Sequence, residues 1–218
     1  MTAWSKPRII DRPVSRLGNI LTTTQKEKTR DRILGAAEQV FANKGYHESL
    51  VDEIAEEVSL SKGGIYFHFP SKEDLFFSVM DRLADRLVSK AEAAAAQETS
   101  PLAKAEAALM EVLLRLGKRR RLARILMVQG YSMGKAFEAK RVEIFGRFAE
   151  IIKANLDEAV KAGEIRDVDT AIAAHVWLGA INEIVIRWLY EGTPQPAEAA
   201  ESLRGILIHG LVVEEPTR

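Results

Sequence analysis

Apolar residues recur along this chain at helical spacing, and no stretch alternates as a strand would. The sharpest pattern lies in residues 49–69. Val51, Ile54, Ala55 and Val58 fall at i, i+3, i+4 and i+7, which gives a short helix one apolar face. Ser49 precedes it as a candidate N-cap, with Asp52 three residues on in the manner of a capping box. Ser61 offers a second N-cap, Ile65 and Phe69 mark the buried side of a second short helix, and Leu60 plugs the corner. Two short amphipathic helices joined this tightly predict a helix-turn-helix, whose second helix is shaped for the DNA major groove.

The flanking pattern is helical too. A helix is expected over residues 25–44 on the stripe Ile33, Ala37, Val40 and Phe41, with Gly45 as its left-handed cap and Tyr46 packed beneath the motif. Ser71, paired with Asp74, opens a long helix through Leu75, Phe76, Val79, Met80, Leu83 and Leu87 into the alanine-rich residues 91–96. Beyond the break at residues 98–101, five further helices are predicted over 102–116, 119–129, 135–162, 169–190 and 197–213, punctuated by Gly and Pro. The expected fold class is all-α. It consists of a flexible basic arm (1–24), a three-helix DNA-binding domain (25–71) and a larger helical regulatory and dimerisation domain (72–218).

Composition changes this picture in two ways. The 47% hydrophobic content calls for a packed core, and the absence of cysteine excludes disulfides, thiol catalysis and thiolate metal sites. Net charge is zero, which by itself argues against nucleic acid, but residues 1–30 carry +5 and leave −5 for the remainder. A basic end on an acidic body suits a protein that grips DNA by one end; a solubilising tail fits residues 1–24 equally well. No N-terminal apolar run resembles a signal peptide and no segment reads as an uninterrupted membrane span, so a cytoplasmic location without membrane contact is expected.

The segment Asp-Glu-Ile-Ala-Glu-Glu-Val followed by Leu-Ser-Lys-Gly-Gly-Ile-Tyr-Phe-His-Phe-Pro-Ser-Lys-Glu-Asp-Leu-Phe resembles the DNA-binding domain of the tetracycline-repressor (TetR) family of transcriptional regulators, over about residues 29–80. The resemblance implies a homodimer on a palindromic double-stranded operator, and a small-molecule inducer held in the body whose binding moves the heads apart. It also implies a backbone contact from Lys72 and an outward hydroxyl at Tyr66. Two departures stand out. Ser59 occupies a turn position where the family has Gly, so a positive φ there costs about 1 kcal/mol. Gly64 replaces a small hydroxyl or Ala, removing one possible base contact.

The candidate DNA-binding residues are Lys28, Arg30, Ser49, Ser61, Lys62, Gly63, Gly64, Tyr66, His68 and Lys72. Lys62 is the candidate for a base edge or phosphate, and Lys72 sits where a helix N-terminus already favours an anion. Gly63 and Gly64 each weaken a helix by about 1 kcal/mol relative to Ala; close backbone approach to DNA is the compensating gain. Phe67 and Phe69 read as core aromatics. In the body, Met110, Met127, Tyr131, Met133, Phe137, Phe145, Phe148 and Trp177 read equally as lining of an apolar cavity or as ordinary core. Asn182, Glu183 and Arg187 are polar on an otherwise apolar helix, so they are candidate ligand contacts, although Glu183 and Arg187 at i, i+4 also suit a simple pair. Ile172, Val176, Ile184, Leu203, Ile206, Leu207 and Leu211 are the expected dimer interface. The Lys118–Arg121 run reads as a solvated helix boundary. No cofactor is expected, and the four scattered histidines suggest no metal site. The absence of metalloprotease, phosphate-loop and nucleophile-elbow motifs argues against an enzyme. The alternative to a ligand-released repressor is a DNA-binding regulator controlled by a protein partner.

Overall fold

The computed structural model describes the backbone of residues 15–211 and the side chains of residues 25–208, 210 and 211. Among the described residues there are nine α-helices and no strand. These are α1 (Ser15–Glu48), α2 (Val51–Glu57), α3 (Lys62–His68), α4 (Lys72–Ala95), α5 (Pro101–Lys118), α6 (Arg120–Met127), α7 (Lys135–Lys161), α8 (Thr170–Glu191) and α9 (Pro196–His209), with a 3-10 turn at Tyr131–Met133 between α6 and α7.

The first helix starts at Ser15, ten residues before the expected start at residue 25. Residues 15–24 of the arm expected over 1–24 are therefore helical, and residues 1–14 lie outside the described residues. Adding residues to an existing helix needs no new nucleus, so weakly periodic residues 15–24 continue it. At the other end, Gly45 has the expected positive φ (83°) but an extended ψ (173°), so the chain kinks and one more turn runs on to Glu48. That kink leaves α1 carbonyls free, and Ser49 satisfies them: its hydroxyl donates to the Gly45 and Val40 carbonyls. The N-cap of α2 is consequently Leu50, whose N–H donates to the Glu53 carboxylate at 3.3 Å.

The head is α1 to α3 closed over the start of α4. Phe76 meets Phe41 edge-on at 5.1 Å and Tyr46 at 5.1 Å between ring centroids. Burying one such ring contributes about 1.5–3 kcal/mol. Arg32 donates to the Val58 carbonyl (2.9 Å) and Arg82 of α4 to the Asp31 carbonyl (2.8 Å), so charged stems tie the head's helices from outside.

The same α4 then enters the body. Its buried residues run unbroken from Leu75 and Phe76 in the head to Leu87, Ala91 and Ala95 among α5 and α7. Lys140 and Arg147 of α7 pair with its Asp81 (3.1 Å) and Asp85 (2.6 Å). One rigid element thus belongs to both parts. α8 buries Ala174, Trp177, Leu178, Ile181, Val185 and Trp188 along one face. It is not enclosed on all sides, as its all-round apolar sequence suggested, because Ile172, Val176 and Tyr190 are exposed on the other. By length and composition α8 is apolar enough to cross a membrane; in this fold it packs against α5, α6, α7 and α9.

Candidate nucleic-acid interface and regulatory core

The reader helix α3 begins as its sequence dictates. The Ser61 hydroxyl accepts from Gly64 N–H at 3.1 Å, and Ile65 alone is fully buried, anchoring the helix by one side. Before it, Ser59 holds φ 53°, the positive-φ position anticipated for this turn. Lys62, Gly63, Tyr66 and Phe67 lie on the exposed side. A methyl group added at Gly63 or Gly64 would meet nothing nearer than 3.8 and 3.5 Å, so neither glycine is required by packing inside the protein.

Lys62 projects outward but is held by Asp52 of α2 at 2.7 Å, and that carboxylate pushes its pKa above the ordinary lysine range. Any phosphate it meets competes only with a solvent-screened surface pair, so the exchange is easy. Lys72, in the first turn of α4, donates to the His47 carbonyl at 3.2 Å and lies over the Tyr46 ring, 4.7 Å from its centroid. Burial pulls its pKa down, opposed by Glu48 and Glu53. The Ser71 hydroxyl caps α4 at Asp74 N–H (3.0 Å), which leaves Lys72 beside free N–H groups of that turn.

Several expected contacts are placed otherwise. Ser49 is fully buried and belongs to the α1 kink, so it is removed from the DNA-facing set. Arg30 is half-buried, stacked on Phe69 (4.3 Å) and bonded to Ser78 at 3.3 Å, whereas Lys28 is exposed. Phe69 is core, as expected. Phe67 is not: it is 73% exposed, with the Lys26 ammonium 5.2 Å above its ring. The i, i+4 partner of Ile65 is Phe69, so Phe67 falls on the opposite side of α3, a relation the helical period already contained. His68 is half-buried with Nδ1 unpartnered, and burial together with Lys26 and Arg30 pulls its pKa below the ordinary value.

In the body, the centre is an apolar seam rather than an open cavity. Leu87, Leu126, Met127, Phe145, Phe148 and Ile181 enclose about 20 Å³, room for one or two waters. A smaller gap of about 10 Å³ continues it past Ala91, Leu109 and Phe148. Of the candidate pocket residues, Met127, Phe145 and Phe148 line this seam. Met110 is buried in the core, Met133 is half-buried, and Phe137 packs tightly against Gly130. Trp177 borders a groove of about 380 Å³ between α8 and α9. Glu183 and Arg187 are excluded from the interior: they pair on the exposed face of α8 at 2.8 Å, and Arg187 also reaches Glu191.

Sequence reasoning missed Arg141. This half-buried α7 side chain donates to the Tyr131 hydroxyl (2.8 Å) and to the Asn182 carbonyl oxygen (3.2 Å), with its guanidinium over the Tyr131 and Phe145 rings. A basic residue three and four positions before Ile144 and Phe145, on the apolar side of a helix, was the available signal.

The dimer candidates divide. Ile172 (62%), Val176 (57%) and Ile206 (70%) are exposed beside the α8–α9 groove, and Ile184 is half-buried. Leu203 and Leu207, on the row of α9 that faces α5 and α8, and Leu211 in the turn just beyond that helix, are instead buried in their own subunit. The Lys118–Arg121 run borders a groove of about 350 Å³ between α1 and α6, with Arg120 donating to the Leu189 carbonyl at 2.7 Å. Among the described residues no group of three or more His, Asp or Glu side chains is arranged to hold a metal ion.

Comparison with known proteins agrees with this architecture. Residues 33–79 match the model for bacterial regulatory proteins of the tetR family, and residues 98–211 match the tetracyclin repressor-like C-terminal domain. The chain is 25% identical over 189 residues to the fatty acid metabolism regulator protein of Bacillus subtilis (strain 168), covering 86% of this chain and 97% of that protein. It is 27% identical over 186 residues to the HTH-type transcriptional regulator SrpR of Pseudomonas putida, covering 84% of each. The fold matches the crystal structure of the transcriptional regulator FadR from Bacillus subtilis in complex with stearoyl-CoA, with a TM-score of 0.74 and 24% identity over 82% of this chain and 97% of that one. With a helix-turn-helix head, a shared α4 and a helical body covered by two matched family models, this chain belongs to the TetR family of DNA-binding transcriptional regulators.

Proposed function

We propose that this protein is a cytoplasmic homodimeric repressor that releases a palindromic operator when an amphipathic acyl compound fills the seam of its body. The observation that carries this reading is the continuity of α4. Its N-terminus, with Lys72, stands beside the reader helix, and its Leu87 lines the seam between α5, α6, α7 and α8. The seam holds only about 20 Å³, so an acyl chain enters by parting α4 from its neighbours. Parting them re-aims the head, and a ligand that favours the parted arrangement shifts the population away from DNA by its differential affinity. The names of the relatives, one a fatty acid metabolism regulator and one solved with stearoyl-CoA, support acyl compounds as the first class to test.

The DNA contacts in this reading come from Lys62, Gly63, Gly64, Tyr66 and Lys72, with Lys28 and Ser61 beside them. Two heads of a dimer would place their reader helices about 34–36 Å apart, one DNA turn. The direct test is operator binding by fluorescence anisotropy, with and without a panel of acyl compounds, alongside thermal shift. Loss of operator affinity together with a raised melting temperature is expected for the effector class. The closure of the seam also favours a second reading, a regulator with no small-molecule input. If no acyl compound changes either readout while operator binding is intact, that second reading replaces the first.

A further inference from the structure

Arg141 stands one helical turn before the seam-lining Phe145, at the margin of the seam, and its charge is left uncompensated. Among the described residues it forms no ion pair; its two acceptors, the Tyr131 hydroxyl and the Asn182 carbonyl oxygen, are neutral, and its Nε is buried without a partner. The Phe145 ring that carries its guanidinium, 5.4 Å from the centroid, also lines the seam. A half-buried charge without a counter-ion is costly, and an incoming anion removes that cost. The cations of the outer groove between α4, α5 and α6 are different. Arg86 is already paired with Glu38 and Arg115 with Glu111, while Lys90 and Arg119 are exposed to solvent, where an anion gains little.

We propose that Arg141, with Tyr131 and Asn182, is the anchor for the carboxylate head of an apolar monocarboxylic acid whose tail occupies the seam, and that the 131–133 turn carries its occupancy to the DNA-binding head. The path is contiguous. Tyr131 touches Arg141; the next residue, Ser132, is hydrogen-bonded to the His47 ring; and the His47 carbonyl accepts from Lys72 at 3.2 Å. A carboxylate taking over the Arg141 donors frees Tyr131, and the turn shifts between its flanking glycines, Gly130 and Gly134. That shift moves the α1 tail beyond the Gly45 kink and withdraws the support that positions Lys72 beside DNA.

The proposal rests on the ligand-released reading above, and the test separates the two. Full-length protein is titrated with sodium dodecanoate, with dodecanol and with dodecanoyl-CoA, following tryptophan fluorescence, and operator release is measured by anisotropy. Wild type is expected to bind the carboxylate at least about tenfold more tightly than the alcohol, as for a hydrogen-bonded charge. Arg141→Gln should abolish that preference while still binding the alcohol, and Arg141→Lys should keep part of it. Ser132→Ala should bind dodecanoate as wild type does, yet require a higher concentration to release the operator. If Arg141→Gln keeps the full preference, or if dodecanoyl-CoA binds and dodecanoate does not, Arg141 is not the head anchor and the proposal falls while the ligand-released reading stands. If none of the three probes binds wild type, both fall. If Ser132→Ala releases the operator at the wild-type concentration, the relay is overturned.

Discussion

At the scale of single residues, two positions near the reader helix carry a local cost. Ser59 sits at φ 53°, where its Cβ crowds the following carbonyl by about 1–2 kcal/mol, while Gly would add unfolded-state entropy of about 0.5–1 kcal/mol. Ser59→Gly should therefore stabilise the protein by up to about 1 kcal/mol with no loss of operator affinity, a difference readable by urea denaturation. His68 is a second case. Its native pKa lies below the ordinary value of about 6.5, so between the two values the unfolded chain binds the extra proton and the folded one does not. Stability is then full above about pH 6.5 and falls as the pH drops through that value towards the depressed one. Denaturation midpoints taken across pH 5–7 should show this decline, and His68→Gln should flatten it. An unchanged slope in the variant would locate the pH dependence elsewhere.

At the scale of elements, the proposed function divides the work of meeting DNA between α3 and the start of α4. Gly63 and Gly64 have room for a methyl group, so Gly→Ala at either should stabilise α3 by up to about 1 kcal/mol. If the glycines serve close backbone approach, the same variants weaken operator binding despite higher stability; opposite signs in melting temperature and affinity are the expected outcome. Lys72→Ala should weaken binding to all sequences and lower the logarithmic salt slope by about 0.9, the share of one neutralised phosphate. Unchanged affinity there would defeat the phosphate assignment. The elements themselves were largely legible, because Ser61 and Ser71 are caps and the apolar stripes follow helical periods. What failed to show were facts of tertiary placement. Ser49 is called away by carbonyls that the Gly45 kink strands, and Arg141 matters only because α6, α7 and α8 bring Tyr131, Phe145 and Asn182 around it.

At the scale of the whole molecule, the proposed homodimer raises the question of which apolar surface would join two copies. In sequence, Leu203, Leu207 and Leu211 resemble an interface as strongly as Ile206 does, since all repeat at helical spacing. The fold separates them: the three leucines are core, while Ile206 stands exposed with Ile172 and Val176 beside the α8–α9 groove. Exposed apolar side chains clustered on two neighbouring helices suit pairing with the same two helices of a second copy. Val176→Glu should then yield a folded monomer, with wild-type helicity and melting cooperativity but reduced operator affinity, because each head loses the binding energy of its twin. Leu207→Glu should instead destabilise the subunit itself, by several kcal/mol, since it buries a charge without a partner. Sedimentation velocity and circular dichroism on the two variants separate these outcomes. A persistent Val176→Glu dimer would move the interface off this face, and a folded Leu207→Glu monomer would return the α9 leucines to it.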